Sequence, residues 1–203
     1  MSVRIQPRPI AAEEPNRRAE IVRAAGRLFR EKGYAATTIR DIAGAVGMRS
    51  GSPFYHFKTK NDMLRAVVLE GLDAFNAAVA RAASSDKPPR ARFEAMLRAH
   101  LGQLLGDDGR DFAATLLHES RHLDPAVLAE LVALKDSYEA MWQKALQDLK
   151  RAGLIADDSQ VARLFLLGAL NWTVQWYRPD GAKSVEQIAR QLARLLLGKP
   201  RRP

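Results

Sequence analysis

Cysteine is absent from this chain of 203 residues, which excludes disulfide bonds and thiolate metal ligands. A membrane-spanning helix needs about 18 consecutive apolar residues, and no such run occurs. The most apolar stretch, residues 161–174, is interrupted by Arg163, Asn171 and Thr173. The first 15 residues lack the apolar segment of a secretory signal, so we expect a cytoplasmic protein. Strand alternation and internal repeats are also missing, which favours an all-α fold.

Acidic residues are scarce in the first part of the chain. Residues 1–60 contain 12 lysines and arginines against 5 aspartates and glutamates, whereas residues 61–203 contain 20 against 18. A basic excess confined to one segment is typical of proteins that bind nucleic acid. A solvated basic surface would have the same composition, so charge alone does not decide the function.

A helix-turn-helix pattern lies within this basic segment, at residues 38–60. Thr38 begins the first helix as a cap, and Gly47 ends it because a left-handed residue is needed there. The second helix is predicted over residues 50–57, with Ser50 as its cap and Pro53 tolerated in its first turn. In a helix-turn-helix this second helix reads the DNA major groove.

The side chains of the second helix divide into an inner and an outer set. Phe54 and Phe57 are three residues apart, so we expect them to anchor the helix to its neighbours. Gly51 and Ser52 are small enough for close approach to the major groove. A preceding helix over residues 16–32 carries an apolar face with five arginines off that face, which we expect near the DNA backbone. Residues 1–15 are predicted to form a flexible basic arm.

The ordered set of motifs in residues 17–65 resembles the TetR family of bacterial repressors. The motifs are Gly33-Tyr34, Thr38-Ile39-Arg40-Asp41-Ile42-Ala43, Gly47, Gly51-Ser52, Phe54-Tyr55-His56-Phe57 and Lys60. The resemblance implies an all-helical homodimer with an N-terminal DNA-binding domain (residues 16–60) and a larger effector-binding and dimerisation domain (residues 61–203). It also implies these DNA-contacting residues: Thr38, Arg40, Ser50, Gly51, Ser52, Tyr55, His56 and Lys60. Phe54 stands where the family often has tyrosine, and Pro53 replaces a larger aliphatic residue.

The remainder of the chain is predicted to contain six further helices, which gives about nine in all. The helix over residues 159–177 is apolar on two faces and must be covered on both. Either it lies at the centre of a monomer, or one face packs against a second subunit together with the last helix; we favour the dimer. The predicted dimer interface consists of Phe165, Gly168, Trp172, Trp176, Ile188, Leu192 and Leu195.

One motif points to a different class of protein. His118-Glu119-Ser120-Arg121-His122 fits the H-E-x-x-H pattern of zinc hydrolases, in which both histidines bind zinc and the glutamate is the base. The alternative function is therefore a zinc-dependent hydrolase using His118, Glu119 and His122. Asp124-Pro125 interrupts the helix directly after the motif, which disfavours that reading, so we expect no enzyme, no metal and no cofactor.

A helical bundle binds small molecules between facing helices, through apolar walls with a few polar groups. The predicted lining residues are Phe93, Met96, His100, Phe112, Leu116, Arg121, Trp142 and Trp172. The stretch 168–179 resembles a TetR subgroup that regulates lipid, sterol or acyl-CoA breakdown, which implies an apolar or acyl-CoA-like effector. Arg121 or Arg178 could then pair with an anionic group. The expected function is a repressor that binds a palindromic operator as a homodimer and leaves it when the effector binds, with no membrane contact.

Overall fold

The computed structural model describes residues 14–49 and 52–197, and all regular structure within these ranges is helical, which confirms the all-α fold. The eight α-helices are α1 (Glu14–Lys32), α2 (Ile39–Ala45), α3 (Lys60–Ala83), α4 (Pro89–Leu105), α5 (Asp107–Glu119), α6 (Pro125–Arg151), α7 (Gln160–Trp176) and α8 (Val185–Leu197). Two short 3₁₀ helices lie at Ser52–Tyr55 and Ser120–His122. None of the helices in the described ranges is long and apolar enough to cross a membrane.

Several predicted helix starts are confirmed by side-chain caps. The Thr38 hydroxyl accepts from the Asp41 N–H at 3.1 Å, and the Asp41 carboxylate accepts from the Thr38 N–H at 2.8 Å. Thr59 and Asp62 repeat this arrangement at 3.1 and 2.9 Å at the start of α3. Because each cap satisfies orphan N–H groups of a first turn, it contributes about 1 kcal/mol. Gly47, with φ of +66°, follows α2 in the predicted left-handed conformation.

The second helix of the helix-turn-helix is shorter than predicted. Within the described residues it is one 3₁₀ turn, in which the Pro53 carbonyl accepts from the N–H groups of His56 and Phe57 at 3.0 and 2.9 Å. Pro53 and Phe57 are buried, whereas Phe54 is 52% exposed. The prediction that Phe54 anchors this segment is therefore wrong. The anchors are Pro53 and Phe57, four residues apart, and Phe54 lies off their face.

The connection between α4 and α5 is short. A Gly-Asp-Asp-Gly stretch such as residues 106–109 ordinarily ends a helix, but here only Gly106 is extended and α5 begins at Asp107. A Cβ atom on Gly109 would lie 1.7 Å from the Gln103 carbonyl oxygen. Gly109 therefore lets the first turn of α5 approach the end of α4 instead of ending a helix.

A continuous set of buried apolar side chains joins α1 and the helix-turn-helix to the larger bundle, which consists of α4 to α8. It includes Phe29 of α1, Met63 and Leu64 of α3, and Phe93 and Trp142 of the bundle. Helix α3 packs against α1, α4, α5 and α6, so it runs through both parts of the molecule. The two parts of the molecule therefore share one packed core through α3.

Two arginines that were expected near the DNA backbone instead hold α1 against other helices. Arg18 pairs with Glu70 of α3, and its guanidinium lies 5.1 Å from the centre of the Phe57 ring. Arg30 pairs with Asp111 of α5 at 2.9 Å. Burial raises the pKa of the Asp111 carboxyl, and the neighbouring Arg30 opposes that effect.

Candidate nucleic-acid interface and ligand site

The outer side of the helix-turn-helix exposes aromatic and basic side chains. Tyr55 is 91% exposed, and Arg40 and Thr38 are also on the surface, while His56 is half-buried. Ser50 and Gly51 lie outside the described residues, as does the side chain of Ser52. In a helix-turn-helix, the surface that carries Tyr55, Arg40 and Thr38 is the one that would face the DNA.

Two further basic residues on this side were missed at the level of sequence. Arg49 and Lys58 flank the 3₁₀ turn, and both are exposed. The concentration of basic residues in this part of the sequence could have identified them, but neither residue belongs to the family motif. Lysine and arginine at such positions suit phosphate contacts, which position a protein on the duplex without reading its sequence.

The Thr38 hydroxyl has a structural role in addition to its exposure. It donates to the Asp41 carboxylate at 2.7 Å and accepts from the Asp41 N–H. Hydrogen bonds from the Thr38 hydroxyl and backbone, followed by the charge of Lys32, lower the pKa of Asp41. The Thr38 hydroxyl can therefore donate to a phosphate only if its hydrogen bond to the Asp41 carboxylate is broken.

Lys60 is directed into the protein rather than toward open solvent. Its ammonium donates to the carbonyl oxygens of Tyr34 and Thr37 at 2.7 and 2.8 Å, and approaches that of Ala35 at 3.4 Å. It also lies 4.2 Å from the centre of the Tyr34 ring, within the range of a cation–π interaction. An ammonium has three donors, so these carbonyls account for all of them. Lys60 thereby holds the connection between α1 and α2.

The His118–His122 motif lies where the end of α5 meets the α1–α2 connection and the start of α3. The His122 ring stacks on the Tyr34 ring with centres 5.0 Å apart, and the His122 carbonyl accepts from the Asn61 side chain at 2.7 Å. The Glu119 carboxylate is buried and lies 3.5 Å from His122 Nε2. The motif therefore joins the two parts of the chain.

The same geometry does not form the zinc site of the alternative hypothesis. Helix α5 ends at Glu119 and continues as a 3₁₀ turn, so the two histidines are not one α-helical turn apart on a common face. His118 is exposed, whereas Glu119 is buried against Gly33. Among the described residues, no group of three histidines, aspartates or glutamates is placed to hold a metal ion.

Aromatic side chains form a dense cluster in the larger bundle, which we call the aromatic cluster. It consists of Phe75, Phe93, His100, Phe112, Tyr138 and Trp142, all buried, with neighbouring ring centres 5.2 to 6.3 Å apart. The Phe112 ring packs on Gly71, where a Cβ atom would lie 2.2 Å from the ring. Within this apolar volume, His100 Nδ1 is hydrogen-bonded to the Tyr138 hydroxyl.

Burial shifts the titration of both polar members of the cluster. It lowers the pKa of His100 to about 4, with a smaller opposing contribution from the Asn171 side chain. It raises the pKa of Tyr138 well above its ordinary value, and a hydrogen bond with the Trp142 side chain opposes this effect. His100 is therefore a neutral imidazole and Tyr138 a neutral phenol at pH 7.

The predicted ligand-lining residues divide into two sets. Phe93, Met96, His100, Phe112 and Trp142 are buried in or beside the aromatic cluster. The other three are elsewhere: Leu116 is half-buried against the core, Arg121 is exposed, and Trp172 is 66% exposed.

Two buried members of the cluster were missed by sequence reasoning. Tyr138 lies four residues before Trp142 and therefore on the same face of α6, which was the available signal. Phe75 gave no signal beyond the helical spacing of core residues.

Helix α7 is covered on one face only. Leu166, Leu170 and Thr173 are buried, whereas the opposite face exposes Phe165 (76%), Trp172 and Trp176, with Gly168 between them. On α8, Leu195 is exposed and Leu192 half-buried. Ile188 is 3% exposed and packs inside the chain's own core, so its assignment to an intersubunit face is wrong.

A basic helix-turn-helix joined through a shared core to a helical bundle is an architecture of DNA-binding transcriptional regulators. Residues 21–67 match the model for bacterial regulatory proteins of the tetR family, and residues 86–199 match the tetracyclin repressor-like C-terminal domain. The chain therefore belongs to the TetR family.

Individual relatives match over most of their length. The HTH-type transcriptional repressor KstR2 of Rhodococcus jostii (strain RHA1) is 30% identical over 184 residues, which cover 89% of each chain. The crystal structure of AibR in complex with isovaleryl coenzyme A and operator DNA has a TM-score of 0.77 at 28% identity, covering 90% of this chain and 98% of AibR. The crystal structure of the superantigen PfiT has a TM-score of 0.73 at 36% identity, covering 96% and 100%.

Proposed function

We propose that this protein is a homodimeric repressor that acts in the cytoplasm and binds a palindromic operator. The observation that carries this proposal is the exposed side of the helix-turn-helix, where Tyr55 and Arg40 face outward beside the capped α2. The basic excess of residues 1–60 supplies attraction to phosphates, which dominates the affinity of such proteins for DNA. In this proposal residues 16–60 are the DNA-binding domain, residues 61–203 bind effector and partner subunit, and the arm of residues 1–15 supplements the DNA contacts.

The DNA contacts divide by chemistry. In our proposal Tyr55, His56 and the segment 50–52 reach the major groove, while Thr38 and Arg40 contact the backbone. Arg49 and Lys58 add phosphate contacts on either side of the 3₁₀ turn. Lys60 supports binding indirectly, because its ammonium is already bonded to the carbonyls that set the angle between α1 and α2.

A second subunit would cover the exposed face of α7. Phe165, Trp172 and Trp176 form an exposed apolar surface on one helix, and monomeric proteins rarely leave such a surface uncovered. Burial of these rings between two copies would place two DNA-binding segments on one molecule. Two such segments read half-sites about 34–36 Å apart, one turn of DNA.

The proposed effector is a small apolar or acyl-CoA-like molecule that binds at the aromatic cluster. Rings from α3, α4, α5 and α6 meet there, so a ligand inserted among them moves several helices at once. AibR, a relative with the same fold, is described in complex with isovaleryl coenzyme A and operator DNA. Helix α5 contributes Phe112 to this cluster, and at its other end Glu119 lies beside Gly33 of the α1–α2 connection. In our proposal a shift of α5 on effector binding moves the helix-turn-helix and weakens its contact with DNA.

The experiment is a DNA-binding titration with the duplex upstream of the protein's own gene. We expect Arg40→Ala and Tyr55→Ala each to weaken binding at least tenfold, because each removes a contact in both subunits. Arg178→Ala is the matched control, since Arg178 is a surface arginine outside the DNA-binding segment. If Arg40→Ala and Tyr55→Ala both bound DNA as tightly as the control, the proposed interface would be wrong.

A further inference from the structure

One residue between α5 and α6 contacts both of the chain segments that flank the helix-turn-helix. The helix-turn-helix of residues 38–60 is preceded by Tyr34 and followed by Asn61. The His122 ring stacks on the Tyr34 ring, with centres 5.0 Å and planes 26° apart. The His122 carbonyl accepts from the Asn61 side chain at 2.7 Å. Because the ring and the carbonyl act separately, both ends of the helix-turn-helix are held at one point.

The position of His122 is fixed by its own part of the chain. It ends the 3₁₀ turn that joins α5 to α6, and the next residue, Leu123, is 5% exposed and belongs to the core. The carboxylate of the buried Glu119 lies 3.5 Å from His122 Nε2. The larger bundle therefore presents His122 to the helix-turn-helix as a fixed point of contact.

The two ends of the helix-turn-helix are also joined to each other. The Lys60 ammonium donates to the carbonyl oxygens of Tyr34 and Thr37, and it lies 4.2 Å from the centre of the Tyr34 ring. The Tyr34 ring is thus in contact with Lys60 and with His122. Because its base is closed in this way, the helix-turn-helix can turn on the bundle as one piece. The ion pair of Arg30 with α5 holds α1 itself, whereas His122 acts on the connection between α1 and α2.

We infer that His122 is a positioning residue for DNA binding, which sets the orientation of the helix-turn-helix on the bundle and thereby the separation of the two DNA-binding segments in the dimer. This inference rests on the proposed function, because that separation matters only to a dimer on a palindromic operator. Two rigidly held segments accept one separation of half-sites, whereas loosened segments accept several. The second histidine of the His118–His122 motif then contributes to DNA recognition without touching DNA.

The test compares the affinity of the full chain for two duplexes. One is the inverted repeat that the wild type selects from randomised DNA, and the other is the same repeat with two base pairs added at its centre. The insertion moves one half-site by about 7 Å and rotates it by about a fifth of a turn. We expect the wild type to bind the longer repeat at least about a hundredfold more weakly, because one half-site loses its base contacts.

His122→Ala removes the stacked ring and keeps the backbone carbonyl. A stacked aromatic pair contributes a factor of about 2 to 10 to an equilibrium. We therefore expect the ratio of the two affinities to fall at least about threefold in this variant. The ratio cancels a loss that weakens binding to both duplexes equally, so a role in stability alone would lower Tm and leave the ratio unchanged.

Two variants control for the chemistry of the ring. His122→Phe retains an aromatic ring that can stack on Tyr34, so it should keep the ratio of the wild type. His118→Ala removes an exposed histidine from the same motif and should also keep it.

A second measurement reports the same separation without DNA. Since the chain has no cysteine, Ala45→Cys at the exposed end of α2 provides a single site for a spin label in each subunit. Pulsed electron paramagnetic resonance then gives the distribution of distances between the two labels. We expect His122→Ala to broaden this distribution and His122→Phe to leave it as in the wild type.

Three results would overturn the inference: an unchanged affinity ratio in His122→Ala, an unchanged distance distribution in that variant, or a His122→Phe variant that behaves like His122→Ala. Each of them leaves the proposed function intact as long as the wild type binds its inverted repeat. A wild type that selects no inverted repeat, or that gives no distance between labels, removes the proposed function itself.

Discussion

Replacement of Lys60 by methionine separates two roles that the same residue could have in DNA binding. In the structure the Lys60 ammonium donates to the Tyr34 and Thr37 carbonyls at 2.7 and 2.8 Å and lies on the Tyr34 ring. Hydrogen bonds from a charged group contribute about 1.5–3 kcal/mol each, and the lower value applies where solvent has access. We therefore expect Lys60→Met to lower the free energy of unfolding by about 2–4 kcal/mol.

The assay is chemical denaturation combined with DNA-binding titrations at several salt concentrations. If Lys60 acts through the α1–α2 connection, the variant is less stable and binds more weakly, but the dependence of log K on log salt is unchanged. Lys58→Met is the matched control: an exposed lysine two residues away should leave stability unchanged and reduce the salt slope by about one per contact. Unchanged stability with a reduced slope in Lys60→Met would refute the reasoning and restore a direct phosphate contact.

Three further predictions concern the larger bundle. If the protein is the proposed dimer, Phe165→Glu should give a monomer in light scattering, because it places a charge on the apolar face of α7, whereas Val132→Glu on α6 should leave the mass unchanged. Burial lowers the pKa of His100 to about 4, so the unfolded chain takes up its proton first as pH falls. Stability that is present at pH 7 should decline by about 2 kcal/mol toward pH 5, and a variant without this histidine should lose that component of the pH dependence. Gly109→Ala should lower stability by about 2 kcal/mol or more in denaturant unfolding, because its Cβ would overlap the Gln103 carbonyl.

The helix starts could be predicted from the sequence because their chemistry is local. Thr38 and Asp41, or Thr59 and Asp62, are three residues apart and satisfy each other's backbone N–H groups without help from distant residues. The same holds for Gly47, whose positive φ is a property of the turn itself. The family motif additionally predicted the order in which these helices and the turn follow one another.

The structure shows contacts of some residues that are distant in sequence and that local patterns do not reveal. Lys60 was given as a DNA contact by its position in the family motif, and its partners in the structure lie 23 to 26 residues earlier in the chain. Phe54 was assigned to the core on helical spacing, and a tighter turn anchored by the buried Pro53 moved it to the surface. Arg121 was assigned to the ligand site and is exposed, whereas the buried Tyr138 could have been found from its position four residues before Trp142 on α6.

The face of α7 shows what periodicity could and could not establish. Two apolar stripes on one helix predicted two covered faces, and the chain itself covers the one that contains Leu166 and Leu170. The other face, with Phe165 and Trp172, is uncovered within the chain, as a helix at a subunit interface would be. Ile188 lies on the apolar face of α8 that was assigned to the interface, yet it is buried within the chain. Periodicity shows that a helix face is apolar, but it does not show which surface covers that face.

Selection of bound sequences from a library of randomised duplex DNA tests the central claim most directly. A dimer with two identical DNA-binding segments should enrich an inverted repeat whose half-site centres are about one helical turn, or a multiple of it, apart. Wild-type protein should enrich this sequence, and Tyr55→Ala should not. Enrichment of no sequence, or of a single asymmetric site that Tyr55→Ala selects equally well, would contradict the account.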